Sequence, residues 1–273
     1  MVVVSLVEEF ISLCLGQSKW KDYEQLYPEI FDHYFRYWCP SKWDGQSLDT
    51  EAIRARAHRV TQVLDPIESQ FRLWQLDTSA LKIVLFVGGN TSNGHAFLDR
   101  DQWVVWIPVE TYRTDQLARI FITHEVVHGL HYSLTPEFYF SDESSKNHLG
   151  RQIITEGVAT FLTAQVLGVS DRDALWADYL SAEKYNLWLQ ECQRRTPELG
   201  AMCRSRFLQS TPELGIFKII DPTDILTFRA GYFVGLSLVQ NVSEKEKLGP
   251  TDLLTLDRHQ FEKFVLRELK AWK

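Results

Sequence analysis

The chain lacks an excess of positive charge. Its 29 Lys and Arg are outnumbered by 36 Asp and Glu, which leaves a net charge of -7 and a pI of about 5.6. No basic patch dominates the sequence, so no nucleic-acid partner is expected. No run of about 18 apolar residues occurs, so no membrane span is expected either. Met1 to Gly16 is apolar but carries Glu8 and Glu9 and no early Lys or Arg. It lacks the positive region that opens a signal peptide. Cys14, Cys39, Cys192 and Cys203 form no C-x-x-C pair. Free thiols in a reducing cytoplasm are the expectation for such a chain. The glycines around Asn90 form no G-x-G-x-x-G and read as a loop, not a nucleotide site. Internal repeats and low-complexity segments are absent as well.

What the chain does have is enough apolar residue for a sizeable core. Hydrophobic residues make up 45% of its 273 positions and charged residues 24%. That length allows one domain or two lobes sharing a cleft. Residues 4–15 and 20–37 read as helices. Trp20, Tyr23, Tyr27, Phe31, Tyr34 and Trp38 recur every three or four positions as one aromatic stripe. Core packing is the plainer reading of that stripe and a substrate platform the other. Cys39 to Ser47 is turn-rich. Asp49 to about Leu76 reads as a long helix that Pro66 should break or kink.

The period changes at Leu81. Leu81–Val87, His95–Leu98 and Gln102–Val109 read as strands, the last two joined by a three-residue loop at Asp99, Arg100 and Asp101. Pro108 cannot donate to a ladder, which points the 102–109 strand, or its end, to a sheet edge. From Thr114 the pattern is helical again to about Leu134. Thr135 to Asn147 reads as a polar loop beside a cleft. Further helices follow at 149–167, one or two within 171–207, and others at 231–240 and at 258–273. The expected fold is therefore α+β and mainly α-helical, with a small sheet at about residues 81–110 packed against the 114–134 helix.

That helix carries Thr123-His124-Glu125-Val126-Val127-His128, an H-E-x-x-H. Residues four apart lie one turn apart on the same face. Two imidazoles so placed can bind one zinc ion, and Glu125 can reach a water there as general base. A buried helix with two hydrogen-bonded histidines is the alternative. A catalytic zinc needs a third protein ligand. His131 lies two turns from His124, about 10 Å along the axis, too far to share one ion. Glu156 lies 28 positions beyond His128 and interrupts an apolar run of Ile153, Ile154, Val158, Phe161 and Leu162. A carboxylate placed there wants a cation.

H-E-x-x-H followed by Glu156-Gly157-Val158-Ala159 resembles the gluzincin, thermolysin-like metallopeptidases. More closely, the chain resembles a bacterial family of predicted zinc-dependent proteases. There a Gly-Tyr-x-x-Gly segment follows the zinc helices, as Gly231-Tyr232-Phe233-Val234-Gly235 does here. The resemblance covers roughly residues 80 to 240. It implies a zincin-like fold, Zn²⁺ held by His124, His128 and Glu156, and Glu125 as general base. It also implies hydrolysis of peptide or amide bonds in a peptide or protein substrate. An oxyanion donor is needed besides; Tyr232 is the first candidate, with His148 or Arg229 behind it, and packing in a helix start is the other reading of Tyr232. The strand carrying Trp103, Val105 and Ile107 would take an extended peptide by strand addition. The whole chain then reads as one catalytic domain, or as two lobes of it, 1–135 with the sheet and the H-E-x-x-H helix and 136–273 with the third ligand. Two alternatives remain open: a zinc hydrolase of a small amide or modified metabolite, and a metal-stabilised binding or regulatory protein without turnover. Glu125 weighs against the second, since a purely structural site needs no base and tends to be Cys-rich.

Overall fold

The computed structural model describes residues 1–39, 49–89 and 91–272. All but the first residue of the turn-rich 39–47 stretch lies outside them. Two compact units make up the chain, Met1–Gly129 and Leu130–Lys273. The first contains β1 (Val2–Ser5), α1 (Val7–Cys14), α2 (Trp20–Glu24), α3 (Pro28–Tyr37), α4 (Thr50–Leu73), β2 (Leu81–Phe86), β3 (His95–Asp99), β4 (Gln102–Pro108) and most of α5 (Asp115–Leu134). The second contains α6 (Glu143–Lys146), α7 (Leu149–Leu167), α8 (Asp171–Trp176), α9 (Ala182–Arg194), α10 (Thr196–Arg206), α11 (Ala230–Glu246), α12 (Pro250–Thr255) and α13 (Arg258–Ala271). The fold is α+β and mainly helical, as its periodicities imply.

One four-stranded sheet has the order β1-β2-β4-β3. β1 and β4 both pair with β2 in parallel, and β3 pairs with β4 antiparallel. This corrects three expectations. The sheet is not confined to residues 81–110, because Val2–Ser5 form a strand where a helix was expected from residue 4. The β3–β4 loop has two residues, not three, because Asp99 pairs with Gln102. Arg100 makes the tight turn with φ +58°. Finally, β4 is not an edge strand. Pro108 is its last residue, opposite Phe86, so the donor it lacks falls at the end of the ladder and the strand can stay internal. The strand-addition site expected at Trp103, Val105 and Ile107 is therefore closed by β2 on one side and β3 on the other.

Pro66 does not break α4, which runs unbroken through it. Gln62, whose carbonyl loses its partner, and Pro66 itself are both exposed, so water can take the bond. Asp49 caps this helix, accepting from the amides of Glu51 and Ala52. The 20–37 segment divides in two, with Pro28 in the first turn of α3. The aromatic stripe packs inward: Tyr23, Phe31 and Tyr34 are buried. Phe31 meets Phe86 edge-on at 5.6 Å and Tyr34 meets Trp106 at 5.3 Å, the arrangement ring quadrupoles favour.

The sheet seats α5 at Gly129. A Cβ there would stand 2.7 Å from Val105 Cγ2, so only glycine permits this approach. In the second unit α7 and α11 cross as closely. A Cβ on Gly157 would lie 2.4 Å from the carbonyl oxygen of Gly235, and one on Gly235 would lie 2.6 Å from that of Ile153. α7 spans the residues read from the sequence and ends at Gly168 in the left-handed region, φ +60°. The 171–207 stretch gives three helices rather than one or two. No described helix is long and apolar enough to cross a membrane. Among the described residues none of the four cysteines takes part in a disulfide.

Candidate metal centre

Thr114 precedes α5, and its hydroxyl accepts from the amide of Leu117 at 3.1 Å. Helical geometry then carries His124 and His128 on one face, a turn apart. Both are buried, 4% and 3% exposed, in a helix whose neighbours Ile122, Val126 and Val127 are fully covered. Their Nε2 atoms stand 3.1 Å apart. Nitrogens at that separation serve either a hydrogen bond between neutral rings or a shared cation. Glu125 is also buried.

Glu156 is half-buried on α7, between the fully buried Thr155 and Gly157. One ligand atom each from His124, His128 and Glu156 lies within 4.8 Å of the other two. Tetrahedral ligands at about 2.0–2.1 Å from zinc are separated from each other by about 3.3 Å, so small side-chain adjustments bring this set onto one ion. Two imidazoles and one carboxylate, with no thiolate, are the donor chemistry of a catalytic rather than a structural zinc site. The residues present fit the metal.

His131 is not in that group. It is fully buried against Phe138, ring centroids 4.5 Å apart, which is a packing role. His148 caps α7: its Nδ1 accepts from the amide of Arg151 at 3.2 Å, and its Nε2 lies 3.4 Å from an Arg258 nitrogen. Burial, and then the charge of Arg258, hold its pKa below the usual histidine value. Tyr232 is half-buried in the first turn of α11. The Arg229 guanidinium lies 3.9 Å from the centre of its ring and Phe217 meets it edge-on at 5.6 Å. Arg229 also lies over Trp176 at 5.1 Å and has a left-handed backbone, φ +59°. Its cation is held between two aromatic faces.

Several supporting residues carry no signal in the sequence, because their partners are distant in the chain. Arg151 is buried and donates to the carbonyls of Phe138, Ser145 and Lys146, fixing the loop before α7. The segment before β3 is tied down likewise. Glu110 accepts from the amide of Gly88 at 3.0 Å, and the Tyr34 hydroxyl from that of Gly89 at 2.7 Å. The Tyr112 hydroxyl donates to the carbonyl of Asn93.

A family model described as "Predicted Zn-dependent protease (DUF2268)" matches residues 50–263. The match takes in α4, the strands β2 to β4, the H-E-x-x-H helix, Glu156 and the Gly231–Gly235 segment. No curated protein and no solved structure matches the chain. By a match over most of its length, the chain belongs to this family of predicted Zn-dependent proteases.

Proposed function

We propose that the protein is a zinc metallopeptidase that hydrolyses peptide bonds with Glu125 as general base. The observation that carries the reading is the approach of His124, His128 and Glu156 to within 4.8 Å, with Glu125 next in sequence to a ligand. In it, the two histidines and Glu156 hold Zn²⁺. Held there, the ion would supply Lewis acidity, polarising a carbonyl and lowering the pKa of a water to about 7.

The remaining work belongs to side chains. Glu125 lies about 100° round the helix from His124, so it faces the reacting water and not the ion. It takes the water's proton and returns it to the leaving nitrogen. Its burial keeps bulk water away from the carboxylate, which strengthens its interactions. Tyr232 donates its hydroxyl to the oxygen that becomes negative. Arg229 against its ring fixes the phenol and favours a developing anion nearby. His148 is engaged as a helix cap, which leaves it the weaker donor.

The test is metal analysis of the purified protein beside digestion of a broad peptide library, with and without a chelator. About one zinc per chain and chelator-sensitive cleavage are expected. Zinc without peptide cleavage would favour a small-amide hydrolase or a binding protein. No zinc would remove the reading altogether.

A further inference from the structure

We infer that Gly94 is a positioning residue for Glu125: the backbone turn entering β3 forms the wall against which the carboxylate arm rests. A Cβ at position 94 would stand 2.9 Å from Glu125 Cγ, 3.0 Å from the carbonyl oxygen of Trp106 and 3.4 Å from Ile107 Cδ1. The first distance is shorter than carbon atoms tolerate, so any side chain at 94 displaces Glu125 or the strand. Gly94 also has φ +137°, a region that residues with a Cβ rarely enter.

This wall is fixed from behind. Ser92 Oγ donates to the Gly94 carbonyl at 3.0 Å and stands 3.2 Å from its amide nitrogen. Tyr112 donates to the carbonyl of Asn93, and Tyr34 and Thr91 share a hydrogen bond at 3.1 Å. Tyr34 and Tyr112 are buried, so these anchors belong to the core and not to the surface. The arrangement limits the rotamers open to Glu125, an entropic advantage for a base that must meet one water in one geometry. The inference rests on Glu125 being the general base.

Two double-mutant cycles test it. The first reads thermal stability of the protein as purified. Gly94→Ala should lower Tm in the wild type, and by about 2–4 °C less in a Glu125→Ala background, where the Cγ is gone. Backbone strain at 94 and the clash with Trp106 are common to both backgrounds and cancel. Equal losses would overturn the contact. The second reads peptide turnover. Gly94→Ala should lower kcat by about 10–100-fold with KM and zinc content near those of the wild type. In a Glu125→Gln background it should cost little more. The same fold-loss in both backgrounds, or a rise in KM alone, would overturn the positioning role. If Gly94→Ala does not fold, Tyr112→Phe releases the Asn93 anchor instead. It should lower kcat by roughly 3–10-fold, again only where Glu125 is intact. Should the wild type cleave no peptide, the proposed activity and the positioning role fall together, whereas the thermal cycle still decides the contact.

Discussion

At the scale of single residues, the account turns on which groups hold the metal. His131 and Glu156 are the two candidates for a third ligand that the sequence offers; helical rise already sets His131 too far from His124, and the structure separates the two as well. His131 is packed against Phe138, and Glu156 has a carboxylate atom near the two histidine nitrogens. Glu156→Ala should therefore lose most of its zinc, measured by metal analysis after dialysis. His131→Ala should keep its zinc and lose thermal stability, because a buried ring is replaced by a cavity. Equal zinc loss from both would mean that the third ligand is misassigned. Tyr232→Phe removes one oxygen and leaves the ring on Arg229. Its zinc content and fold should persist while turnover falls on the order of 10²–10³-fold. Unchanged turnover would leave Tyr232 a packing residue. The ligand types were legible in the sequence because helical spacing is local and because a Glu inside an apolar run stands out. Gly94, Glu110 and Tyr112 were not, since each acts on a partner that the chain brings back from another element.

At the scale of elements, two devices support the ligands. The first is the α7–α11 crossing, where Gly157 and Gly235 leave no room for a Cβ. Gly157→Ala should destabilise the protein by about 1–3 kcal/mol through overpacking. Because it sits next to Glu156, it should also weaken zinc binding. Gly168→Ala offers the contrast: nothing lies near its would-be Cβ, and only its left-handed backbone should cost stability. The second device is the His148 cap on α7. Its pKa is lowered in the folded protein, by burial first and Arg258 second, so folding favours the neutral ring. The stability this contributes is complete above the unfolded histidine pKa of about 6.5 and is lost as pH falls through the lower folded value. Thermal midpoints measured from pH 8 to 5 should fall more steeply in the wild type than in His148→Asn. Parallel curves would show that the cap does not titrate. These elements were read unevenly from the sequence. The long helices α5, α7 and α13 were clear from their periods. β1 was not, because four residues before a helix carry no period of their own and its pairing with β2 spans 80 positions. Pro66 lies inside an unbroken α4 and Pro108 at the end of an internal strand. Each has its missing donor where water or the end of a strand makes the loss cheap.

At the scale of the whole molecule, the H-E-x-x-H helix is the element that both units share, since α5 runs across Gly129 and Leu130. Among the described residues, His124, His128 and Glu156 are the one group of three His, Cys, Asp or Glu close enough to hold a metal. Two of the buried cysteines are poor competitors for zinc, because burial raises both thiols, that of Cys203 to about 12. A thiol reagent at pH 8 should accordingly leave Cys192 and Cys203 unmodified in the folded protein and reach them only on unfolding.

The central claim is that Glu125 acts as a base and not as a packing residue. Glu125→Gln keeps size and hydrogen bonding and removes only the proton acceptor. The decisive measurement is the rate of peptide hydrolysis by Glu125→Gln and wild type at matched zinc content. The account predicts full zinc occupancy, a normal fold and a rate lower by about 10² or more. Cleavage by Glu125→Gln as fast as by the wild type, with zinc bound, would contradict it.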